Sequence, residues 1–385
     1  MDPIYLDHNA TTPVDPEVLD AMLPYLRSDF GNPSSSHPFG RRARQAVENA
    51  RADVASLIGA HVEEIVFTSG GTEASLLALV GGAEAIRARS GGRRLSFVSF
   101  TLEHPATLQP LEALRAKGDT VHLVPPDPEG IVRLDKMLET WQLTTQPDIV
   151  SLMHAQNEIG VLQPVDMVGR MARSRGTLFH VDAAQTAGKI PLHVTAIGCD
   201  LLTIAGHKLY APKGVGALYV RSGVELLPVL PGAGQERGLR GGTENVPGIV
   251  GLGAACRLAA RRLAAGESDR LRALRDRLWS ELESLIPGIV WTAPRVATLP
   301  NTLHVRFPGV TGNALLNATP EIAASTGSAC HAGRDEAPAA ILALGTDEAA
   351  ALGSVRLSLG HGNDEVQILE AARALAAGWE KAVGG

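Results

Sequence analysis

The sequence predicts an α/β protein, in which a mostly parallel sheet covered by helices is followed by a smaller α+β unit. From about residue 15 to residue 230, short β-rich runs alternate with longer helical patterns, as in sheets whose strands are joined by helical crossovers. Beyond residue 246 this alternation stops. The chain has 385 residues and 45% of them are hydrophobic, so it can bury a sizeable core and form more than one folding unit.

Seven short runs supply the strands of the predicted sheet. Between them, Arg41–Ile58 carries apolar residues at helical spacing, and an earlier helix is predicted to begin after Asp15, because a proline follows this candidate N-cap. We expect a large domain over residues 15–260 and a small domain over residues 1–14 and 261–385. The seven runs are Glu64–Thr68, Leu95–Phe100, Thr120–Val124, Asp148–Met153, Thr177–Val181, Asp200–Ile204 and Gly214–Val220.

The smaller unit is predicted from the last third of the chain. A long helical region extends from about Val246 to Leu285, and a strand–helix–strand pattern follows at Asn301–Arg306, Asn313–Leu316 and Glu321–Ala324. These short strands lie apart from the alternating region, so they predict a C-terminal α+β unit with a sheet of its own.

Charge and composition exclude several classes of function. The net charge of -6 comes from 35 basic and 41 acidic residues spread along the chain, so no basic patch predicts nucleic acid as the main ligand. No secretory signal and no stretch of membrane-spanning length is present, so we expect a cytoplasmic protein that does not enter a membrane. Cys199, Cys256 and Cys330 are far apart, which argues against a disulfide framework or a zinc site.

A glycine-rich turn predicts an anion site. Thr68-Ser69-Gly70-Gly71-Thr72 follows a predicted strand and opens a helix. The free N–H groups of that helix start, together with the Thr72 hydroxyl, are suited to hold a phosphate. The alternative is an ordinary βα turn, since glycine is common at such turns.

An acid and a lysine follow two neighbouring predicted strands. Asp182 stands at the carboxyl end of one strand, where open α/β sheets bind ligands, and Lys208 follows the next one. Alone, the acid could cap a turn and the lysine could be solvated. Together they match the needs of a pyridine aldehyde cofactor, which requires an amine to bind the aldehyde and a carboxylate to keep the ring nitrogen protonated.

Several motifs, in order along the chain, resemble the cysteine desulfurases of the NifS/IscS type. The resemblance extends from about Ile4 to Gly360, and it implies a fold-type I enzyme of the aminotransferase class V branch that uses pyridoxal 5′-phosphate (PLP). It also implies a homodimer with active sites at the subunit interface. The motifs are Tyr5-Leu6-Asp7-His8-Asn9-Ala10-Thr11-Thr12-Pro13, Thr68-Ser69-Gly70-Gly71-Thr72-Glu73, Glu103-His104, Gln156-Asn157-Glu158-Ile159-Gly160, His180-Val181-Asp182-Ala183, Gly206-His207-Lys208 and Gly327-Ser328-Ala329-Cys330.

The resemblance implies a role for each cofactor-site residue. Lys208 resembles the lysine that binds the cofactor as a Schiff base, Asp182 resembles the partner of the ring nitrogen, and His104 is similar to the imidazole stacked over the ring, which also acts as a proton donor. The remaining implied cofactor contacts are Gln185 and Asn157 near the ring hydroxyl, Gly71, Thr72 and His207 at the phosphate, and Thr243 from the other subunit.

The substrate site and the nucleophile are also implied by the resemblance. Arg356 matches the arginine that binds the substrate carboxylate, a task suited to a bidentate guanidinium. Cys330 is similar to the cysteine that becomes a persulfide, although a single cysteine is by itself more often inert. Cys199 and Cys256 are interpreted as packing residues. The other expected substrate-binding residues are Asn9, Ala10, Thr11 and Asn157.

The implied activity is conversion of L-cysteine to L-alanine, with transfer of sulfur through Cys330 to an acceptor protein, as in iron–sulfur cluster assembly. Two features are similar to selenocysteine lyases: Ala205 stands where many relatives have a serine that contacts the phosphate, and His331 follows Cys330. Selenocysteine therefore remains a second candidate substrate. The same scaffold would also suit a class V aminotransferase or a non-enzymatic protein that binds a partner.

Overall fold

The computed structural model describes residues 2–143, 146–293, 298–327 and 336–384. After a short first strand, β1 (Ile4–Tyr5), seven strands form the central sheet in the order β2-β8-β7-β6-β5-β3-β4. β8 is antiparallel to both of its neighbours, and all other pairs are parallel, so the predicted mostly parallel mixed sheet is confirmed. The strands are β2 (Ile65–Thr68), β3 (Ser96–Phe100), β4 (Thr120–Val124), β5 (Ile149–Met153), β6 (Leu178–Asp182), β7 (Leu201–Ala205) and β8 (Gly216–Val220).

Helices cover this sheet, and they begin where the sequence supplies caps. Asp15 accepts a hydrogen bond from the Glu17 N–H and precedes a proline, as predicted. The next helix begins at Pro38, three residues earlier than expected, because the His37 side chain caps it. The helices before residue 200 are α1 (Pro16–Arg27), α2 (Pro38–Ile58), α3 (Gly71–Leu76), which continues through a π-helical turn (Leu77–Gly81) into α4 (Gly82–Arg89), α5 (Pro105–Ala116), α6 (Leu134–Leu143), α7 (Val165–Arg175) and α8 (Val194–Ile197).

The central strands are buried on both faces, which explains why they appear in the sequence as continuous apolar runs. Every residue of β5, β7 and β8 is buried. On one face, α2 packs against α9 (Val246–Ala264). The two helices approach closely because Gly253 has no side chain: a Cβ there would lie 2.6 Å from the Cα of Ala50.

A second unit follows. The predicted helical region from Val246 to Leu285 is confirmed, and it consists of two helices, α9 and α10 (Glu267–Leu285), which are separated at Gly266 with its φ of 84°. The strand–helix–strand prediction is confirmed in its order. The remaining elements are β9 (Val290–Trp291), β10 (Thr302–Arg306), α11 (Gly312–Ala318), β11 (Ile322–Ala323), α12 (Ala339–Ala343), α13 (Glu348–Leu352), β12 (Ser354–Ser358) and α14 (Glu365–Gly384).

The C-terminal strands form a small antiparallel sheet in the order β12-β10-β9, and β1 pairs with β11. The N-terminal segment thereby lies beside the C-terminal elements, and Asp7 forms a further bridge with Ser358 of β12. The boundaries expected between the two domains stay a prediction. Within the described ranges, no helix combines the length and apolar character needed to cross a membrane.

Candidate active site

The carboxyl ends of β5, β6 and β7 meet at one edge of the sheet, where a cavity of about 370 Å³ opens. Residues that directly follow these strands are brought together there, as expected for open α/β sheets. The cavity also receives residues from the N-terminal segment and from β12. The predicted site residues that line it are Asn9, Ala10, Gly71, Thr72, His104, Asn157, Asp182, Gln185, His207, Lys208 and Arg356.

Among the described residues, two predicted site residues do not line this cavity, Thr11 and Thr243. Thr11 lies behind its wall, where the hydroxyl group is 3.2 Å from Nδ1 of His207. Thr243 is exposed on the surface, so its expected contact with another subunit stays a prediction. Cys330 and the adjacent His331 lie outside the described residues.

One end of the cavity is formed by the start of α3, directly after β2. Gly70 has a φ of 154°, which favours glycine, and it turns the chain from strand to helix. Gly71, Thr72 and His207 all line the cavity. Because the first N–H groups of a helix have no acceptor within the helix, this end of the cavity suits a phosphate.

Lys208 enters the cavity from a single 3-10 turn that follows β7. Its Nζ donates to the backbone carbonyls of Asn9 and Ala10, at 2.6 and 2.7 Å. Burial lowers the pKa of this lysine to about 8, and the Arg356 charge acts in the same direction, whereas Asp7 and Asp182 oppose it. A substantial fraction of the amine is therefore neutral near pH 8, as a nucleophile requires.

Asp182 ends β6 and is buried. One carboxylate oxygen accepts a hydrogen bond of 2.9 Å from the Ala184 N–H. Burial raises the pKa of Asp182, while that hydrogen bond and the nearby His104 and Lys208 act against the rise. A cation inside the cavity would stabilise the ionised carboxylate, so the position suits a partner for a protonated ring nitrogen.

His104 lies at the mouth of the cavity, where it caps α5. Its Nδ1 accepts a hydrogen bond of 3.1 Å from the Ala106 N–H, so in the neutral ring the proton is carried by Nε2. Desolvation by the surrounding protein lowers the pKa of the imidazole, although Asp182 opposes this. The neutral ring can stack on an aromatic group and can donate a proton from Nε2.

Arg356 reaches the opposite side of the cavity from β12 and is buried. Its guanidinium forms an ion pair of 2.7 Å with Asp7 and donates to the Asn157 carbonyl at 3.0 Å. These contacts fix the plane of the guanidinium while part of the side chain still faces the cavity. Such an arrangement is suited to a carboxylate. The role of Asp7 was not predicted, although this residue belongs to the N-terminal motif of the family resemblance.

Lys189 was not predicted as part of the site either. Its Nζ donates to Oε1 of Gln185 and to Oδ1 of Asn9, both at 2.8 Å, and Nε2 of Gln185 donates to the Asn9 carbonyl at 3.0 Å. The only sequence signal was its spacing of four residues from Gln185. The contacts to Asn9 join residues about 180 positions apart, which no local pattern reveals.

Cys199 and Cys256 are both buried, and burial raises the pKa of each thiol. Both belong to the apolar core around the central sheet. Their interpretation as packing residues is confirmed, because a buried thiol with a raised pKa is a poor nucleophile.

Comparison with known proteins agrees with this geometry. Residues 4–370 match the model of the aminotransferase class-V family. The cysteine desulfurase IscS of Anaeromyxobacter dehalogenans is 45% identical over 95% of this chain and 90% of its own length. Among solved structures, a NifS-like protein superposes with a TM-score of 0.87 at 37% identity, covering 97% of this chain and 98% of that one. A structure of SspA in complex with cysteine has a TM-score of 0.79 at 31% identity, covering 92% and 98% of the two chains. The chain belongs to the cysteine desulfurases of the aminotransferase class-V family.

Proposed function

We propose that this chain uses PLP to convert L-cysteine into L-alanine and passes the sulfur through Cys330 to an acceptor. The observation that supports this most is the shared cavity, to which the central sheet contributes Lys208 and Asp182 and the small C-terminal sheet contributes Arg356. The solved relative that contains cysteine supports the choice of substrate.

The residues of the cavity fit PLP. Lys208 would bind the aldehyde, Asp182 would face the ring nitrogen, and Gln185 would lie near the ring hydroxyl. The start of α3, with Thr72 and His207, would hold the phosphate. When bound, the cofactor withdraws electrons from the substrate α-carbon.

The chain's own residues account for the other requirements of the reaction. Arg356 binds and orients the substrate carboxylate, and Lys208 removes the proton from the α-carbon. The Cys330 thiolate attacks the substrate sulfur: an S–S bond forms, the C–S bond breaks, and the electron pair of that bond stays on the carbon fragment. Protonation of this fragment, with His104 as the acid, gives L-alanine. The Cys330 persulfide then transfers its outer sulfur to an acceptor protein or thiol.

A homodimer is part of the proposal. Thr243 is exposed, but the segment before it is firmly held, because Glu236 accepts two hydrogen bonds of 2.8 Å from the Arg51 guanidinium and one of 2.7 Å from the Phe67 N–H. The Arg51–Glu236 pair is buried. This anchoring favours a rigid surface on which Thr243 is presented to a second copy of the chain.

A product assay tests the proposed function. With L-cysteine and a thiol, we expect alanine and sulfide in equal amounts without any keto acid. Turnover that requires a keto acid would instead show an aminotransferase. Selenocysteine is assayed in parallel, and selenide release far above sulfide release would identify a selenocysteine lyase. If neither alanine nor sulfide forms from L-cysteine, the proposal is contradicted.

A further inference from the structure

Lys189 lies directly behind the cavity and has no part in the reaction described above. Its side chain is partly exposed overall, yet its amine contacts two buried residues of the cavity wall, Gln185 and Asn9. A second cavity of about 30 Å³ is lined by both Lys189 and Lys208. Asn9 connects the two amines, because its side-chain oxygen accepts from Lys189 and its backbone carbonyl accepts from Lys208.

The hydrogen bonds of Lys189 define the orientation of the Gln185 amide. Because the amide oxygen accepts from Lys189, its NH₂ group must point the other way, where it donates to the Asn9 carbonyl. An amide turned by 180° would place its NH₂ group against the Lys189 amine and its oxygen against that carbonyl. Both contacts would then be lost.

Asn9 depends less on Lys189 than Gln185 does. Its side-chain oxygen also accepts from Asn301 at 3.2 Å, and its NH₂ group donates to Thr302 at 2.8 Å. By contrast, among the described residues Lys189 is the one hydrogen-bond donor to the side-chain oxygen of Gln185. Removal of Lys189 should therefore act first on Gln185.

The contribution of Lys189 is directional. Burial lowers its pKa well below the usual value, and the nearby positive charges of Lys208 and Arg356 lower it further. The Lys189 amine donates to two acceptors, the side-chain oxygens of Gln185 and Asn9. Replacing Lys189 by a side chain of similar length that has no N–H group removes both of these hydrogen bonds.

We propose that Lys189 is a positioning residue that locks the Gln185 amide with its NH₂ group available as the donor on the hydroxyl side of the cofactor. The inference rests on the proposed binding of PLP. It adds that recognition of the ring oxygen depends on a residue that does not touch the cofactor.

The test is the binding of PLP and of its 3-deoxy analogue, which lacks the ring hydroxyl, to the cofactor-free full-length chain by equilibrium dialysis. In the parent protein we expect PLP to bind more tightly than the analogue. In Lys189→Met, the ratio of the two dissociation constants should fall about fivefold, the worth of one neutral hydrogen bond. Lys189→Gln keeps two N–H donors on a side chain one bond shorter, so it should stay closer to the parent. Lys117→Met, at an exposed lysine, is the matched control.

A Gln185→Leu background shows whether Lys189 acts through Gln185. There, Lys189→Met should leave the ratio unchanged, since the donor is already absent. A purely structural role would weaken the binding of both ligands equally. A parental ratio in folded Lys189→Met would therefore overturn the inference, as would a full effect of Lys189→Met in the Gln185→Leu background. If the parent binds no PLP at all, the proposed function fails as well, and that result is distinct from a parental ratio in the variants.

Discussion

A side chain at Gly71 would begin 3.2 Å from the Cβ of Ala205, so the start of α3 and the end of β7 are in direct contact at the end of the cavity that we propose to hold the phosphate. Ala205 is buried there, and the family resemblance implies a serine at this position in many relatives. The contact leaves little room for a larger side chain, but a hydroxyl group directed into the cavity can be accommodated.

The first prediction follows from this contact. Ala205→Ser should lower the dissociation constant for PLP about fivefold, because a hydroxyl adds one hydrogen bond of ~1 kcal/mol to the phosphate. Ala205→Gly, which adds no donor, is the control and should show no gain. Weaker binding by Ala205→Ser, measured by absorbance titration, would show that steric crowding against Gly71 outweighs the hydrogen bond.

The second prediction concerns the pH dependence of cofactor capture. The neutral amine of Lys208 is the reactive form, and burial lowers its pKa to about 8. The rate of PLP binding should therefore rise as the pH increases toward about 8 and level off above it, whereas an ordinary lysine would show a rise up to about pH 10.4. Stopped-flow absorbance gives this profile.

Lys208→Ala is the matched variant for that experiment. Borohydride reduction should attach PLP to Lys208 in the parent and to no residue in the variant, as read by peptide mass spectrometry. Attachment to the nearby Lys189 would show that the lysine has been assigned wrongly.

The third prediction addresses the carboxylate at the end of β6. Asp182→Asn should retain PLP but lose at least about 100-fold in turnover, because a neutral amide cannot stabilise the protonated ring nitrogen. Cofactor content by absorbance and alanine formation from L-cysteine are the two measurements. Parental alanine formation in a variant with full cofactor content would remove Asp182 from the mechanism.

Much of the central sheet could be predicted from the sequence because its strands are continuous apolar runs between helical patterns, and the acid and lysine directly follow two of them. β12 was not predicted as a strand, although its five residues alternate polar and apolar types, a pattern that is typical of strands. The roles of Asp7 and Lys189 depend on contacts with residues about 350 and 180 positions away, which only the folded chain creates.

The fourth prediction tests the dimer. Hybrids of Lys208→Ala and Thr243→Ala subunits should contain one site with both changes and one intact site, if Thr243 acts across the interface. Such hybrids should bind about half the parental amount of PLP with parental affinity. If every site in them binds PLP no better than the Thr243→Ala homodimer does, the contact is made within one subunit.

The most direct test of the central claim is alanine formation by Cys330→Ser, combined with ³⁵S labelling of the parent enzyme by L-cysteine. A thiolate is soft and partly ionised near neutral pH, whereas a serine hydroxyl is neither, so the variant cannot accept the substrate sulfur. We expect Cys330→Ser to bind PLP and exchange the substrate α-proton with solvent, while alanine formation falls at least about 100-fold. In the parent, ³⁵S should appear on Cys330 as a persulfide. Parental alanine formation by Cys330→Ser, with no ³⁵S on Cys330 of the parent, would contradict sulfur transfer through this residue.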